Sequence, residues 1–267
     1  MWLPDAWRSP PYMLRLGQAF IQLWQFNGRD WAQIESQAVH HLAHDQYTEL
    51  SELLPGITQA LPHGARVQVV ADSKWMPVSL ILTGSKPLSR AQIDVLAKHR
   101  FSQIFGEHAK VWNIQSSYVA GDPQTMAFAC PSGLLTGLRQ GIETQQPGGH
   151  VRHRLVGLAP TLSWTWEQIW RSGAGQAATW LVLAEQDRSI LVRAPKGQAL
   201  GLQPAGPILQ SPAHLDKVLR TEALRFGVFE ESTSVAGFSF EAIPEMATRP
   251  SSDAFHWQVL GTQGSTT

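Results

Sequence analysis

The sequence predicts an α/β protein of two lobes with mixed sheets. Three strand-like segments joined by short turns open the chain, and amphipathic helices then alternate with strands. The proline- and glycine-rich stretch Gln145–His150 is followed by a shorter version of the same order. Because such stretches separate compact units, this one predicts the boundary between the two lobes.

The first three strands are predicted from their apolar residues and from the turn residues between them. The segments Tyr12–Leu16 and Phe20–Phe26 flank a tight turn at Gly17. Asn27-Gly28 is a strong hairpin signal, and a third strand is predicted to span Trp31–Leu42. We therefore expect three hairpin-joined strands at the start of the first lobe.

Helices and strands alternate after these hairpins. Ser89 and Gln92 form a capping box at the start of a long helix, and Gly106 ends it. A helix is predicted within Tyr47–Leu61, and Pro55-Gly56 either kinks it or makes it start late. The other predicted elements of this lobe are strands at Ala65–Ala71, Val78–Leu82, Lys110–Tyr118 and Thr125–Cys130, and a helix that begins at Pro131-Ser132.

The second lobe repeats the pattern in shorter form. Its predicted elements are strands at Arg154–Leu158, Thr179–Ala184, Ser189–Ala194, Ala199–Gln203 and Thr233–Phe240, and helices at Ser163–Arg171 and from Ser211-Pro212 to Gly227. The predicted lobes are residues 1–149, with an inserted strand–helix–strand subdomain at about 76–120, and residues 150–245. Residues 246–267 are expected to form a tail whose polar Gly-Ser-Thr-Thr end is frayed.

This order of elements predicts a known architecture. Three hairpin-joined strands followed by helix–strand–helix–strand form the ribonuclease H-like unit, and two such units form the actin-like fold. We therefore predict an actin-like α/β fold with two ribonuclease H-like lobes, of which the second is abbreviated.

Composition excludes several classes of protein. Lys and Arg number 21 and so do Asp and Glu, so the chain lacks the basic excess of a nucleic-acid-binding protein. Cys130 is the only cysteine, which excludes an internal disulfide and a CxxC zinc site. Residues 1–5 do not read as a signal peptide, and no apolar run approaches the roughly 20 residues of a membrane-spanning helix. We expect a cytoplasmic protein without direct membrane insertion.

Three segments resemble a known family. They are Arg66–Leu80, which contains Ala71-Asp-Ser-Lys-Trp75-Met76, Ala97–Gly106 with Trp112 beyond it, and Ala127–Leu135. The hydrophobic pattern of the first segment resembles that of the cytoplasmic pilus and secretion proteins PilM, GspL and MshI. The other two segments resemble uncharacterised bacterial relatives of this group, and the similarity covers roughly Tyr12 to Phe240. The resemblance implies an actin-like fold and a scaffold role in a type IV pilus or type II secretion assembly.

The hairpins that hold phosphates in actin-like ATPases are poorly matched. Those proteins use two glycine-rich hairpins and an acidic residue near the metal. The first hairpin here, Leu16-Gly17-Gln18-Ala19, has one glycine and no acid, and the second contains Glu185 and Asp187 but no glycine. We therefore predict no bound cofactor, and if ATP and Mg²⁺ bind after all, Gly17, Gln18, Glu185 and Asp187 are the expected contacts.

Three other sets of residues are of the types found in catalytic or metal sites. His40 and His44 have the spacing of metal ligands on a helix, but no HExxH pattern is present and solvated histidines explain them better. Cys130 lies at a strand end among apolar residues and is expected to be an inert, buried thiol. Asp72 ends an apolar strand, but Met13–Leu16 offers no second carboxylate for metal chemistry, so Asp72 and Ser73 are predicted to form a turn.

Tryptophan is the candidate residue type for partner binding, and the chain has 11. Trp75 with Met76, and Trp164 with Trp166, could line a groove for a short peptide. The alternative is that these residues belong to the core or cap the edge of a sheet.

The sequence thus favours a non-enzymatic scaffold that docks onto the cytoplasmic tail of an inner-membrane assembly protein, with oligomer formation possible. The alternative is a divergent actin-like ATP-binding protein or ATPase. These hypotheses differ in whether the two hairpins hold a nucleotide.

Overall fold

The computed structural model describes residues 11–28, 30–39, 42, 46–84, 88–117, 124–144, 152–171, 178–185, 188–194, 201–205, 212–225, 234–240 and 255–259. The chain is α/β and divides into two compact units, Met1–Thr161 and Leu162–Thr267. None of the described helices is both long enough and apolar enough to cross a lipid bilayer.

The first unit is built on a five-stranded mixed sheet. Its strands and helices are, in chain order, β1 (Tyr12–Leu16), β2 (Phe20–Phe26), β3 (Trp31–Ala38), α1 (Tyr47–Thr58), β4 (Arg66–Ala71), β5 (Val78–Leu82), α2 (Arg90–Phe105), β6 (Asn113–Ser116), β7 (Gln124–Cys130), α3 (Ser132–Ile142) and β8 (Arg154–Pro160). The sheet order is β3-β2-β1-β4-β8. β1, β2 and β3 pair antiparallel, whereas β1, β4 and β8 run parallel.

Helices α1 and α3 cover one face of this sheet. Leu50, Leu54 and Ile57 of α1 recur at helical spacing and are buried, so they form the apolar face that the sequence predicts. They share a core with alternate residues of the strands, among them Leu14 and Val69. Because strand residues alternate between faces, Met13 and Arg15 lie on the other side of the sheet.

Strands β5, β6 and β7 form a separate small subdomain within the first unit. Their order is β5-β7-β6, and α2 packs on one face through Ala97 and Phe101. Ser89 caps α2 with Gln92 in the predicted capping box, and Gly106 ends it with φ 64°. A short 3₁₀ helix, Gly106–Val111, then leads into β6, where the sequence predicts a strand from Lys110.

The second unit repeats the sheet of the first. Its elements are α4 (Thr161–Arg171), which begins at the last residue of the first unit, β9 (Trp180–Glu185), β10 (Arg188–Arg193), β11 (Gly201–Ala205), α5 (Pro212–Arg225), β12 (Val235–Ser239) and β13 (Phe255–Val259). The order β11-β10-β9-β12-β13 combines three antiparallel strands with two parallel ones. The unit is the shorter of the two, but its sheet has as many strands.

Three predicted boundaries differ from the structure. The strand Arg154–Pro160 pairs with β4, so it belongs to the first lobe and the boundary lies at Thr161 instead of residue 149. Residues Phe255–Val259, which were predicted to lie in a tail outside the second lobe, form β13 and pair with β12. The third strand also ends at Ala38 instead of Leu42. In the first two cases the deciding interaction is a pairing between distant segments, which local sequence patterns do not contain.

Candidate functional site

The carboxyl edge of the first sheet is where an open α/β sheet usually binds its ligand. The parallel strands β1, β4 and β8 all end at this edge. Asp72 directly follows β4, Thr161 directly follows β8, and Arg15 is the penultimate residue of β1. These three polar side chains therefore meet although they are far apart in sequence.

Arg15 and Asp72 form a buried ion pair at this edge. Arg15 Nη2 lies 3.1 Å from Asp72 Oδ2, and the two side chains are 3% and 0% exposed. Thr161 Oγ1 donates to Asp72 Oδ1 at 2.7 Å, so both carboxylate oxygens accept a hydrogen bond. Arg15 Nη1 donates to Gln22 Oε1 at 3.0 Å. The carboxylate is thus engaged in holding three parallel strands together.

The predicted turn at Asp72 is present but is only part of its role. The carbonyl oxygen of Asp72 accepts from the amides of Trp75 and Met76, as expected for a turn. The ion pair with Arg15 was not predicted from the sequence. A signal was available, since an arginine within an apolar strand is almost never fully buried without a partner.

The hairpin between β1 and β2 is fixed by side chains that follow β4. Trp75 Nε1 donates to the carbonyl oxygen of Gly17 at 2.8 Å, and Lys74 Nζ donates to that of Gln18 at 3.1 Å. A Cβ at Gly17 would lie 2.8 Å from the carbonyl oxygen of Phe20, so the tight turn requires glycine here. Lys74 Nζ also donates to the carbonyl oxygen of Leu42 at 2.7 Å. The turn is therefore buried, and its carbonyl oxygens accept hydrogen bonds from side chains of the same chain.

The predicted partner groove at Trp75, Met76 and Trp164 is wrong for these three residues. Trp75 is 0% exposed and Met76 is 5% exposed, and both belong to the core beneath α1 and α3. Trp164 packs against Phe238 and Phe240, with ring centroids 5.7 and 5.6 Å apart. All three side chains are therefore core residues, as in the alternative that the sequence left open, because each indole or thioether fills space between elements. Trp166 is half-buried, and its role in binding stays a prediction.

The other residues considered for a metal or nucleotide site lie only partly within the described ranges. Glu185 is buried at the end of β9. His40, His44 and Asp187 lie outside the described residues. No group of three His, Cys, Asp or Glu side chains that could hold a metal occurs within the described ranges.

Cys130 behaves as a protected thiol. It ends β7 and is only partly exposed. Burial raises the pKa of its thiol to about 11, so the neutral form prevails at neutral pH. A thiolate nucleophile is therefore not available at this position under those conditions.

The small subdomain has an apolar sheet face opposite α2. Val78 and Leu80 of β5 are paired with Phe128 and Met126 of β7, and these four side chains are half-buried. Leu82, at the end of β5, is 71% exposed. Together these five residues form what we call the open sheet face, which is an apolar surface on an edge strand and its neighbour.

Comparison with known proteins establishes the fold. No family model matches the chain, and no curated protein matches it. Among solved structures, it is similar to PilM in the PilM–PilN type IV pilus biogenesis complex, with 9% identity and a TM-score of 0.57 over 97% of this chain and 93% of that chain. A Bacteroides thetaiotaomicron protein with an actin-like ATPase fold gives 12% identity and a TM-score of 0.56 over 92% and 88%.

A third similarity is weaker. The cytoplasmic domain of EpsL, an inner-membrane component of the type II secretion system of Vibrio cholerae, is 11% identical over 95% of this chain and 87% of that chain. Its TM-score of 0.45 is too low to establish a shared fold. The first two structures show that the chain has an actin-like fold of the kind found in PilM, as the sequence predicts.

Proposed function

We propose that this chain is a non-enzymatic cytoplasmic scaffold of a type IV pilus or type II secretion-like assembly. In this role it docks onto the tail of an inner-membrane partner. The observation that carries the proposal is the closed carboxyl edge of the first sheet. There Asp72 is bound by Arg15 and Thr161, and the carbonyls of the hairpin at Gly17-Gln18 are bound by Trp75 and Lys74.

The closed edge argues against phosphate chemistry at this hairpin. Actin-like ATPases hold phosphates with backbone amides of glycine-rich hairpins and need a carboxylate near the metal. Both oxygens of Asp72, the carboxylate that follows β4 at this edge, already accept hydrogen bonds. The hairpin has a single glycine, Gly17, and its amide already donates to the carbonyl oxygen of Phe20 at 2.9 Å. A nucleotide would therefore have to displace hydrogen bonds inside a buried cluster, at a cost for each group left unpaired.

Partner docking is supported by the likeness to PilM, which was solved as a complex with PilN. Because Trp75 and Met76 are buried, another surface has to receive the tail. We assign this role to the open sheet face, since Leu82 is 71% exposed and β5 is an edge strand of its sheet. An extended tail can pair with such an edge while its alternate apolar side chains meet Leu82 and the half-buried residues beside it.

The alternative function is ATP binding, and one observation favours it. Glu185 places a buried carboxylate at the end of β9, next to the second hairpin. The contacts expected for Mg²⁺–ATP in that case stay those predicted from the sequence, and Asp187, one of them, lies outside the described residues. The two functions predict opposite results with nucleotide.

A thermal-shift titration with ATP and Mg²⁺ separates these functions. A scaffold shows no saturable shift at millimolar ATP, whereas binding raises the unfolding temperature as ligand exceeds its dissociation constant. A magnesium-dependent shift that Asp187→Ala abolishes would overturn the scaffold proposal.

Pull-downs with cytoplasmic tails of inner-membrane assembly proteins test docking directly. We expect Leu82→Glu to weaken capture of a bound tail, because it puts a charge into an apolar contact. The matched control is Leu224→Glu, since Leu224 is 58% exposed on α5 in the other unit. Equal capture by both variants would remove the open sheet face from the proposal.

A further inference from the structure

We propose that Asn27 is a site of spontaneous deamidation, in which the backbone nitrogen of Gly28 attacks the side-chain amide and the β2–β3 hairpin gains a carboxylate. Asn27-Gly28 predicts the turn of this hairpin, but the proposed scaffold function makes no use of these two residues. Because β2 runs antiparallel to β1, the hairpin lies at the opposite end of the sheet from the closed carboxyl edge. The modification therefore does not depend on the proposed function.

The backbone amide of Gly28 is available as the nucleophile. It donates to no acceptor among the residues that the structure describes, and both Asn27 and Gly28 are exposed. Gly28 has φ 94°, and a Cβ placed on it would meet nothing within 4 Å. The nitrogen therefore has no hydrogen bond to break before it loses its proton, and solvent reaches the turn from the side that a side chain would occupy.

The side-chain amide of Asn27 is held and polarised by the turn. The N–H of Asp30 donates to Asn27 Oδ1 at 2.8 Å, and the N–H of Asn27 donates to the carbonyl oxygen of Asp30 at 3.0 Å. Attack on Cγ of Asn27 moves negative charge onto Oδ1, where the N–H of Asp30 is already directed. A donor fixed at an oxygen that gains charge stabilises the transition state, so the folded turn favours the reaction.

The reaction requires only water as co-reactant. The Gly28 nitrogen loses its proton to solvent and bonds to Cγ of Asn27, while the bond from Cγ to the side-chain nitrogen breaks and ammonia leaves with a proton from water. Water then opens the cyclic imide at either of its carbonyl carbons. Attack at Cγ breaks the new bond to the Gly28 nitrogen and leaves aspartate, whereas attack at the main-chain carbonyl carbon breaks the original peptide bond and leaves isoaspartate.

The isoaspartate product should loosen strand β3. It routes the main chain through the former side-chain carbon and so adds a methylene group to the turn that the Asn27 and Asp30 hydrogen bonds close. The Phe26 and Trp31 rings, whose centroids lie 5.3 Å apart, flank this turn. Because β3 is an edge strand that pairs with β2 alone among the described strands, it has no second neighbour to hold its register.

Incubation of the purified full chain at neutral and mildly alkaline pH, followed by tryptic digestion and mass spectrometry, tests the proposal. The chain has two asparagines, and the tryptic peptides 16–29 and 111–139 carry one each. We expect peptide 16–29 to gain the mass difference between an amide and an acid and to separate into aspartate and isoaspartate forms by chromatography. The conversion should accelerate with pH, because the attacking amide must first lose its proton.

Asn113 is the internal control. It is also exposed, but it lies in β6 and precedes Ile114, whose backbone is paired with Ala129. The β-branched side chain of Ile114 crowds the nitrogen that would attack. Peptide 111–139 should therefore stay unchanged while peptide 16–29 is converted.

Matched variants locate the reaction and its effect. Asn27→Gln keeps the amide but needs a larger ring, so it should abolish the conversion, and Gly28→Ala should slow it because a β-carbon stands beside the nitrogen. Asn27→Asp adds the charge without lengthening the main chain. Amide hydrogen exchange in β3 should be faster in the isoaspartate form than in Asn27→Asp, with β1 unchanged, and unfolding temperatures show that each variant is folded.

A synthetic peptide of residues 16–29 supplies the unfolded reference. We expect the native chain to convert at least as fast as this peptide, because the N–H of Asp30 is held at Oδ1 only in the folded turn. Conversion of the peptide with none in the native chain, or equal conversion of Asn27 and Asn113, would overturn the proposal. A mass gain that persists in Asn27→Gln would do the same, because it would place the reaction on a glutamine of the peptide.

Discussion

Asp72 shows how one residue joins three distant parts of the chain. Its carboxylate accepts from Arg15 of β1 and from Thr161 after β8, and its backbone starts the turn that places Lys74 and Trp75. A charge at a site with no solvent exposure is tolerated only when it is paired and hydrogen-bonded. The arrangement therefore fixes the relative register of the parallel strands at their carboxyl ends.

Replacing Asp72 by Asn should strongly destabilise the protein. The amide can still accept from Thr161, but it cannot neutralise Arg15, which keeps its charge in a buried site. We expect a loss of about 3–5 kcal/mol in the free energy of unfolding, measured by urea denaturation.

An exposed ion pair supplies the control. Glu107→Gln breaks the Glu107–Lys110 pair, whose side chains are 83% and 62% exposed, and should cost no more than about 1 kcal/mol. Comparable losses for the two variants would contradict the role given to Asp72. The double variant Arg15→Met/Asp72→Leu should be more stable than Asp72→Asn, because it leaves no buried charge.

Cys130 should react slowly with thiol reagents in the native state. Burial raises its pKa to about 11, so the thiol is almost entirely protonated at pH 8, and the thiolate is the reactive form. We expect modification by a disulfide reagent to accelerate as the pH rises towards 11 and to be fast at pH 8 in guanidinium chloride. A native rate at pH 8 equal to that of the unfolded chain would show that the thiol is not protected.

At the residue scale the sequence predicted local interactions better than distant ones. The capping box of Ser89 and Gln92 and the terminator Gly106 were confirmed, since each depends on neighbouring residues alone. The Arg15–Asp72 pair spans 57 residues and was missed. Trp75 was assigned to either a groove or the core, because an apolar ring with a hydrogen-bond donor suits both until its neighbours are known.

The element scale is illustrated by the contact between α1 and α3. Gly133, Gly137 and Gly141 of α3 recur every four residues and face α1. A Cβ at Gly137 would lie 2.6 Å from the carbonyl oxygen of Tyr47, and one at Gly141 would lie 2.7 Å from Leu54 Cβ. Absence of side chains thus lets the two helices approach closely. The repeat of glycine is visible in the sequence, but close helix packing was not predicted from it.

Gly137→Ala should destabilise the protein although alanine favours helices. The intrinsic gain of about 1 kcal/mol is outweighed because the new methyl group meets backbone of α1, and overpacking costs about 1–3 kcal/mol or more when nothing can move aside. Gly56→Ala in α1 is the matched control, since its Cβ would meet nothing within 4 Å. Urea denaturation should give a lower stability for the first variant and an unchanged or higher stability for the second, and the reverse order would refute close helix packing.

Element types were predicted more securely than element partners. The helices with apolar periodicity were found, and the start of α5 at Pro212 agrees with the preference of proline for the first turn. The strand β8 was assigned to the second lobe because Gln145–His150 has the composition of a boundary, whereas the pairing of Arg154–Pro160 with β4 depends on contacts with a distant segment. β13 was missed for the same reason, since its pairing with β12 joins segments that are distant in sequence.

At the scale of the whole molecule, the order of elements determined the fold where individual motifs did not. Three antiparallel strands and two parallel ones occur in both units, and this shared order underlies the likeness to PilM. The sequence alone showed that the hairpins lack the glycines and the first hairpin lacks the acid of an actin-like ATPase, because these residues are read directly from the hairpin segments. It did not show which side chains fill the edge, because Arg15, Lys74, Trp75 and Thr161 converge only in the folded chain.

The boundary at Thr161 predicts which fragment of the chain can fold alone. A fragment of residues 1–161 keeps all five strands of the first sheet and the hydrogen bond from Thr161 to Asp72. A fragment of residues 1–149 loses β8, so β4 becomes an edge strand that pairs only with β1, and one oxygen of Asp72 loses its donor Thr161. We expect cooperative urea unfolding and native-like circular dichroism for the longer fragment only. Equal cooperativity in both fragments would place the boundary at residue 149, and failure of both would show that the first lobe requires the second in order to fold.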